Sequence, residues 1–318
     1  MADLSIIIVN WKSATYLDTC IRTIRENTEG LNYEIIVVDN ASYDGSEVVA
    51  GRFGEAVCFV QSSENLGFAR ANNLGATYAR GPVLLFLNPD TEVQNNAINH
   101  LYTQFRKLPD PGVIGCRLLN RNGALQTSCV QSLPTVLNQI LDAEILRRTF
   151  PKLALWGTAA FYEENAATEV EAVSGACMMI RREVFERVGG FSSEYFMYGE
   201  DLDLCFKARS AGFRNYHTGE ARVVHHGGGS SKKARSDFSI VTMRESVSML
   251  LRKTHGKYYS DCYRVAMSIA ALLRMALLVI LFPAWVIRNR IDRWFNSFRK
   301  WSAILRWGLG YVSIPRPS

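Results

Sequence analysis

Several common sequence patterns are missing from this chain. Its seven cysteines include no Cys-x-x-Cys pair, their number is odd, and most of them lie within apolar segments. This favours reduced thiols in the core of a protein that faces the cytosol. The first residues, MADLSIIIVNW, place no basic segment before their short apolar stretch, so no signal peptide is expected.

Glycine patterns that bind nucleotides are also missing. No G-x-G-x-x-G follows the first apolar run, where the residues at 10–13 are Asn-Trp-Lys-Ser, so a nicotinamide-binding Rossmann site is not expected. The stretch GGGSSKKARS at 227–236 lacks the G-x-x-x-x-G-K-[ST] spacing of a phosphate loop. A nucleotidyltransferase is disfavoured, because the Gly-rich, Arg-containing loop expected after its first strand is absent.

Acidic residues are scarce at the C-terminal end. Residues 288–318 contain seven Lys and Arg but only Asp292 as an acid, so the net charge of +6 belongs to this stretch and the first 287 residues sum to zero. The whole chain has 318 residues, 48% hydrophobic and 21% charged, which is enough to bury a full core. No nucleic-acid partner is predicted.

Ile- and Val-rich runs alternate with helical patterns over the first 117 residues. Strands are predicted at 4–9, 34–39, 57–61, 82–87 and 112–116, and helices at 14–27 and 97–107. This alternation predicts an α/β fold with a doubly wound, mostly parallel sheet. Residues 118–170 allow no assignment. A strand is predicted at 172–180, a short helix at 182–188, and another helix after Gly199.

Two predicted strands end in carboxylates. The run LLFLNPDT stops at Asn88-Pro89-Asp90, and EIIVV ends at Asp39-Asn40, with Asp44 following in a turn. Open α/β sheets bind ligands at the carboxyl ends of their strands. Asp90 is therefore the first candidate for a metal ligand, and the alternative is that it only caps a helix.

The composition changes near the C-terminus, which predicts a catalytic domain at 1–258 and a membrane-associating helical region at 259–318. The segment 265–287 is apolar except for Ser268 and Arg274, and it is long enough to cross a bilayer. Arg274 would cost about 2.5 to 3.5 kcal/mol at the centre of a membrane, and Pro283 would weaken the helix. Whether the segment spans the membrane or lies at its interface stays open.

An amphipathic pattern follows this apolar segment. The apolar residues at helical spacing are Ile291, Trp294, Phe295, Phe298, Trp301 and Leu305, with Arg and Lys between them. Basic residues together with Trp and Phe predict a helix that lies in the membrane interface. The alternative is a helix that packs on the soluble core or on a second subunit.

Six blocks then carry a resemblance to a known family. They are SIIIVNW (5–11), VVDNASYDGS (37–46), ENLGFARANN (64–73), LLFLNPDT (84–91), VSGACMMIRREVFERVGGF (173–191) and GEDLDLC (199–205). In this order they resemble family 2 glycosyltransferases of the GT-A fold, the nucleotide-diphospho-sugar transferase fold, and within it the rhamnosyltransferase-like branch. The resemblance covers roughly residues 4–255 and implies an inverting, metal-dependent sugar transfer.

The resemblance also implies roles for single residues. Asp90 and His225 would bind Mg²⁺ or Mn²⁺, with His226 as the alternative ligand or both histidines purely structural. Asn88 stands where the family usually has the first aspartate of Asp-x-Asp. Asp201 would be the catalytic base, with Glu200 as the lesser candidate.

The remaining implied roles concern the nucleotide-sugar donor. The residues expected to contact it are Asp39, Asn40, Asp44, Asn65, Gly67, Arg70, Asn73 and Asn88. For Asp44, and for the loop at 65–73, a structural role is the alternative. A mobile lid over the diphosphate, with Lys232, Lys233 or Arg235 reaching phosphate, is a further hypothesis.

The leading hypothesis is transfer of L-rhamnose from dTDP-L-rhamnose to a glycan linked to a polyprenyl diphosphate, in cell-surface polysaccharide synthesis. The C-terminal helices would hold the enzyme on the cytoplasmic face of the plasma membrane, as a peripheral or monotopic protein, and a homo-oligomer is left open. The alternatives are transfer of another hexose or galactofuranose, and a non-catalytic membrane scaffold on the same fold. A scaffold would have no reason to keep Asp39, Asp90, Asp201 and His225 together.

Overall fold

The computed structural model describes residues 2–141, 150, 153, 167–227 and 237–312. They form two compact units. The first unit draws on Met1–Leu133, Pro151–Phe196 and Glu200–Lys232, and the second on Pro134–Phe150, Met197–Gly199 and Lys233–Ser318. The functional boundary at residue 258 stays a prediction.

The first unit is built on a nine-stranded sheet in the order β3-β2-β1-β4-β10-β6-β11-β5, with β8 paired to β11. A two-stranded sheet pairs β7 with β9. The strands are β1 (Leu4–Asn10), β2 (Tyr33–Asp39), β3 (Val57–Gln61), β4 (Val83–Leu87), β5 (Thr91–Val93), β6 (Pro111–Leu119), β7 (Val130–Gln131), β8 (Thr168–Val170), β9 (Ala172–Val173), β10 (Cys177–Arg181) and β11 (Arg214–His225).

The centre of the sheet is parallel, as predicted. β1 pairs in parallel with β2 and with β4, and β2 with β3. Every residue of β1 and β4 is buried, which explains why these strands are continuous apolar runs rather than alternating ones. Parallel pairing brings the carboxyl ends of β1, β2 and β4 to one edge of the sheet.

The prediction of one continuous strand at 172–180 is wrong. The segment 172–180 forms β9 and β10, separated by a turn at residues 174–176 in which Cys177 N donates to Ser174 O over 3.4 Å. β10 then runs antiparallel between β4 and β6. Apolar composition alone could not reveal this turn, since both halves are buried.

The helices are α1 (Ala14–Glu26), α2 (Ser46–Gly51), α3 (Gly67–Tyr78), α4 (Ala97–Lys107), α5 (Val136–Leu141), α6 (Arg182–Arg187), α7 (Glu200–Ser210), α8 (Asp237–His255), α9 (Lys257–Ile280), α10 (Phe282–Ile287) and α11 (Ile291–Gly308). The predicted bounds of α4 are confirmed. Its buried Ile98, Leu101, Tyr102 and Phe105 recur at intervals of three and four residues, so one face of the helix packs on the core.

The second unit is helical. Its buried cluster joins α8, α9 and α11 through side chains such as Leu251, Tyr263, Ile304 and Trp307. The packing is close, because a Cβ added to Gly308 of α11 would lie 2.0 Å from Ser268 Oγ of α9. Part of the amphipathic α11 therefore packs on α8 and α9, while its contact with a membrane stays a prediction.

The long apolar segment of the second unit is not one helix. α9 ends at Ile280, and α10 begins at Phe282 with Pro283 in its first turn. Proline has no N–H for the helix ladder and is tolerated only at a helix start, so the break falls there. Among the described residues, α9 is the one helix long and apolar enough to cross a membrane, which by itself is weak support for a span.

Candidate active site

The segment after β4 lies beside the end of β11. His225 Nε2 is 3.3 Å from Asp90 Oδ1 and 3.3 Å from Asn88 Nδ2. The backbone holds this pairing, since His226 N donates to Asp90 O over 2.9 Å. Three of the residues predicted for the cation and the diphosphate thus form one cluster, although 135 positions separate Asp90 from His225 in the sequence.

The neighbouring histidine has a different environment. His226 Nε2 lies 2.6 Å from Glu92 Oε1, and the His226 ring packs against Tyr16 with 5.5 Å between centroids. Successive side chains of an extended segment point to opposite sides. His225 therefore faces Asp90, and the geometry favours it over His226 as the metal ligand, a role that stays a prediction.

Gln126 is a member of this cluster that the sequence did not reveal. Its side-chain carbonyl Oε1 is 2.9 Å from His225 Nδ1, and its amide nitrogen donates to His225 O. The Asn-Gly turn at 122–123 was recognisable in the sequence. The contact between Gln126 and His225, however, depends on the chain running back beside β6 after this turn. That return could not be read from residues 118–170.

The acidic pair begins α7. Asp201 Oδ2 accepts from Gly175 N over 2.9 Å, and Asp201 Oδ1 accepts from Leu202 N over 2.8 Å. Glu200 is 6% exposed, and its Oε2 has no hydrogen-bond partner among the described residues. Two adjacent carboxyl groups therefore differ in how well an ionised form is stabilised.

The pKa values of this pair are both raised. Burial raises the pKa of Glu200 to about 8, with the charge of Asp201 adding to the effect. Burial also raises the pKa of Asp201, but the N–H groups of Gly175 and Leu202 oppose this by stabilising its carboxylate. At neutral pH Glu200 is the protonated member and Asp201 is the one suited to carry the negative charge.

The turn at 174–176 touches both halves of the site. Gly175 N donates to Asp201, while Ala176 O accepts from Asn88 N over 3.0 Å. A Cβ added to Gly175 would lie 3.3 Å from Asp201 Cβ and 3.6 Å from Phe68, which follows Gly67 at the start of α3. Asp201, the Asn88 segment and the start of α3 therefore converge on three consecutive residues.

Asp39, the last residue of β2, accepts several hydrogen bonds at this edge of the sheet. Its buried carboxylate accepts from Asn10 Nδ2 (2.9 Å), Ser46 Oγ (2.8 Å) and Gln61 Nε2 (2.8 Å), and from the backbone N–H of Ser42 (3.0 Å). Burial alone would raise the pKa of Asp39, but these donors outweigh it and hold the pKa below its ordinary value. Asn10 and Gln61 are further contributors that the sequence did not single out.

Asp44 has a structural contact of its own. Its Oδ2 accepts from Ala14 N over 2.9 Å, so the side chain caps the N-terminus of α1 across 30 residues of sequence. Burial would raise its pKa, and the hydrogen bonds led by Ala14 N–H lower it below the ordinary value. A donor contact by Asp44 stays a prediction.

The loop before α3 is held by side-chain amides. Asn40 donates to Asn65 Oδ1 (3.0 Å) and to Gly67 O (3.2 Å), and it accepts from Leu66 N (2.7 Å). Gly67 has φ +75°, and an added Cβ would lie 2.3 Å from Phe196 O. The close approach at Gly67 is therefore to the protein's own backbone.

The other two loop residues also have internal partners. Arg70 Nε donates to Leu66 O over 3.2 Å. The Asn73 amide donates to Phe191 O (2.7 Å) and accepts from Phe191 N (2.9 Å), so it ties α3 to a second loop. Donor contacts by both residues stay predictions. The proposed lid residues Lys232, Lys233 and Arg235 lie outside the described residues.

Comparisons with known proteins agree with this arrangement. The Glycosyl transferase family 2 profile matches residues 5–189, and a profile described as the N-terminal domain of galactosyltransferase matches residues 158–227. The low-salt glycan biosynthesis hexosyltransferase Agl10 of Haloferax volcanii is 31% identical over 226 residues, 70% of this chain and 66% of that protein. The chain thus spans just under two thirds of this relative.

A bacterial relative and a solved structure extend the comparison. The N-acetylglucosaminyl-diphospho-decaprenol L-rhamnosyltransferase of Mycobacterium tuberculosis is 28% identical over 236 residues, 70% of this chain and 76% of that protein. The mannosyltransferase PcManGT from Pyrobaculum calidifontis, solved in complex with GDP-Man and Mn²⁺, matches with a TM-score of 0.60 at 16% identity, covering 98% of this chain and 88% of that one. This last likeness concerns the fold alone.

The fold is that of a GT-A glycosyltransferase, as the resemblance implied. Since the family profile covers more than half of the chain, the protein belongs to glycosyltransferase family 2 and is a sugar-transferring enzyme.

Proposed function

We propose that the enzyme transfers a sugar, L-rhamnose from dTDP-L-rhamnose, to a glycan on a polyprenyl diphosphate with inversion at the anomeric carbon. The observation that carries the proposal is the convergence of Asn88, Asp90 and His225 with Asp201 around the turn at 174–176. One side supplies ligands for a diphosphate-bound cation, and the other supplies a carboxylate to act as base.

The donor atoms near Asp90 fit a divalent cation. A carboxylate oxygen and an imidazole nitrogen face each other at 3.3 Å, which suits Mg²⁺ or Mn²⁺ ligation. The described residues contain no group of three or more His, Cys, Asp and Glu side chains able to hold a metal. Asp90 and His225 would therefore hold the ion together with diphosphate oxygens and water. When bound, the ion would neutralise charge on the leaving diphosphate.

Asp201 is suited to remove the proton from the acceptor hydroxyl. Its raised pKa brings its basicity closer to what proton transfer near neutral pH requires, and the Gly175 and Leu202 N–H groups fix its orientation. Glu200 is protonated at neutral pH, so its role is to shape the surroundings of Asp201. A base without an enzyme nucleophile leads to a single displacement and therefore to inversion.

Asp39 would support the nucleoside end of the donor. Because its carboxylate accepts from Ser42 N, Tyr43 N and Ser46 Oγ, it would hold the 42–46 segment in the conformation that receives the nucleoside. Arg70 at the start of α3 would offer donors to phosphate. The relatives support the choice of substrates: the mycobacterial protein is named for rhamnosyl transfer to a decaprenol-linked acceptor. Transfer of another hexose is the second candidate, which the 31% identity to a hexosyltransferase favours.

A membrane surface is the proposed location, with the second unit lying in the interface on the cytoplasmic side. The helices α9 and α10 expose large apolar side chains: Leu272, Leu273, Leu277, Ile280, Phe282 and Ile287. Arg274 is turned away from this surface, because it donates to Ile140 O over 2.7 Å and lies 4.2 Å from the Trp301 ring centroid. An inward-facing arginine beside protein partners supports a helix that lies along the membrane rather than across it.

A panel of nucleotide sugars tests the proposal. The purified full chain would be given each donor with Mn²⁺ or Mg²⁺ and a synthetic GlcNAc-diphosphate-polyprenol acceptor in vesicles, and the products would be read by mass spectrometry. Rhamnosyl transfer from dTDP-L-rhamnose is the expected result. Transfer of only a different hexose would replace the donor assignment, and no transfer from any donor would overturn the proposal.

A further inference from the structure

Gln126 holds both the ring and the backbone of His225. It follows the Asn-Gly turn and is anchored by its own N–H, which donates to Leu118 O over 2.9 Å. We infer that Gln126 is the positioning residue that fixes the tautomer of His225, with the proton on Nδ1 and the lone pair of Nε2 directed at the cation site. The inference rests on the proposed function of Asp90 and His225.

The orientation of the Gln126 amide follows from its neighbours. Its nitrogen lies near two oxygens that can only accept, His225 O and Asn120 Oδ1, the latter at 2.9 Å. Rotating the amide by 180° would place its oxygen against these acceptors and lose both hydrogen bonds. The amide oxygen is therefore the atom that faces His225 Nδ1, at 2.9 Å.

The tautomer of His225 follows in turn. An amide oxygen accepts but cannot donate, so the hydrogen of this contact belongs to His225 Nδ1. In the neutral ring Nε2 then carries a lone pair. That lone pair faces Asp90 Oδ1 at 3.3 Å, and two acceptors at this distance repel each other unless a positive charge, from a bound cation or a second ring proton, lies between or beside them. A divalent cation meets this requirement, and the Asn88 amide can donate to Nε2 in its absence.

The same contact explains how the ligand is aimed. Gln126 binds both the ring and the backbone carbonyl of His225. Rotation of the His225 ring would therefore break the contact at Nδ1, because the contact at the carbonyl holds the His225 backbone in place. Partners that bind the second nitrogen of a ligating histidine set its orientation and basicity, and losing them commonly lowers metal affinity about 10- to 100-fold. A similar loss is expected here.

Three variants test the inference. Gln126→Leu keeps the approximate volume but cannot accept from Nδ1, whereas Gln126→Glu still accepts. Gln104→Leu is the matched control, since the contact of Gln104 with Glu220 is exposed and involves no residue of the cation cluster. Mn²⁺ affinity would be measured by electron paramagnetic resonance titration with dTDP present. Gln126→Leu should weaken it about 10- to 100-fold. Gln126→Glu should weaken it less, because it keeps the acceptor for Nδ1 and loses only the donor to His225 O and Asn120. Gln104→Leu should stay within a few-fold of wild type.

A second readout does not depend on metal or on turnover. The chain has five histidines, so ¹⁵N-histidine NMR can follow the His225 ring after assignment with a His225→Gln variant. Metal-free wild type and Gln126→Glu should show the Nδ1–H tautomer, and Gln126→Leu should lose it. Unchanged Mn²⁺ affinity in Gln126→Leu, or an Nε2–H tautomer in wild type, would overturn the inference. Absence of Mn²⁺ binding in wild type, with the Nδ1–H tautomer present, would instead refute the proposed cation site.

Discussion

Glu200 and Asp201 are neighbours in sequence but differ in what surrounds their carboxyl groups. Only Asp201 receives two backbone N–H donors, so it is the residue that ionises as pH rises. Because burial raises its pKa above the ordinary 3.8, kcat/KM should rise with pH through an apparent pKa higher than that value. A pH–rate profile at saturating metal checks this. A fall of kcat/KM at low pH with an apparent pKa at or below 3.8 would contradict the assignment of Asp201 as the base.

Glu200 should make stability depend on pH in a definite direction. Its pKa is about 8 in the folded chain against 4.5 as the ordinary value, so between these values the folded state binds more protons than the unfolded state. The free energy of unfolding should therefore fall as pH rises from 4.5 towards 8.

Replacing this carboxyl group tests that dependence. Glu200→Gln removes the titrating group, so its free energy of unfolding, minus that of wild type, should grow over this pH range by a few kcal/mol at most. Urea unfolding of both proteins at several pH values measures the difference. A constant difference would show that Glu200 is ionised in the folded state.

At the scale of elements, the start of α3 depends on Gly67. Its φ of +75° and the 2.3 Å between an added Cβ and Phe196 O combine a backbone requirement with a steric one. Gly67→Ala should lose about 1–2 kcal/mol from the left-handed backbone alone, and more from the clash. Gly189→Ala, with φ +78° and nothing within 4 Å of its added Cβ, isolates the backbone cost. Equal urea midpoints for the two variants would contradict the steric argument.

The elements that sequence predicted well are those whose pattern is local. Central strands such as β1 and β4 are continuous apolar runs, and α4 buries one face at helical spacing, so composition alone placed them. The turn at 174–176 could not be predicted, because both flanking strands are buried and apolar composition does not separate them. The break between α9 and α10 was signalled only by Pro283.

The residues of the candidate site also differ in how far the sequence alone could predict them. Asp39, Asp90 and His225 end or follow a strand and Asp201 lies in the first turn of a helix, so local pattern and the family resemblance could single them out, while their roles stay predictions. Gln126 could not be singled out, because its contact with His225 spans 99 positions and depends on strand pairing that no short pattern reveals. Asn40, Asn65 and Asn73 stay predicted donor contacts, and their amides also bind neighbouring backbone or each other, an internal role that residue type does not reveal.

For the whole molecule, the exposed apolar surface of the second unit should bind membranes. Ile280 is 73% and Leu273 67% exposed on α9, and a charge there would have to be buried in lipid. Leu273→Glu combined with Ile280→Glu should reduce co-flotation with vesicles containing anionic lipid at least several-fold. Val48→Glu, at a 65% exposed position on α2 of the first unit, is the control and should float like wild type. Unchanged flotation of the double variant would exclude this surface as the site of membrane binding.

The central claim is that two separate groups act in one reaction, the cation ligands on the donor and Asp201 on the acceptor. The most direct measurement compares donor binding with transfer in Asp90→Asn and Asp201→Asn, using calorimetry with Mn²⁺ for binding and radiolabelled product for turnover. Asp201→Asn should bind donor like wild type and transfer at least about 10²-fold more slowly, whereas Asp90→Asn should lose binding and transfer together. Wild-type turnover in Asp201→Asn would contradict the account.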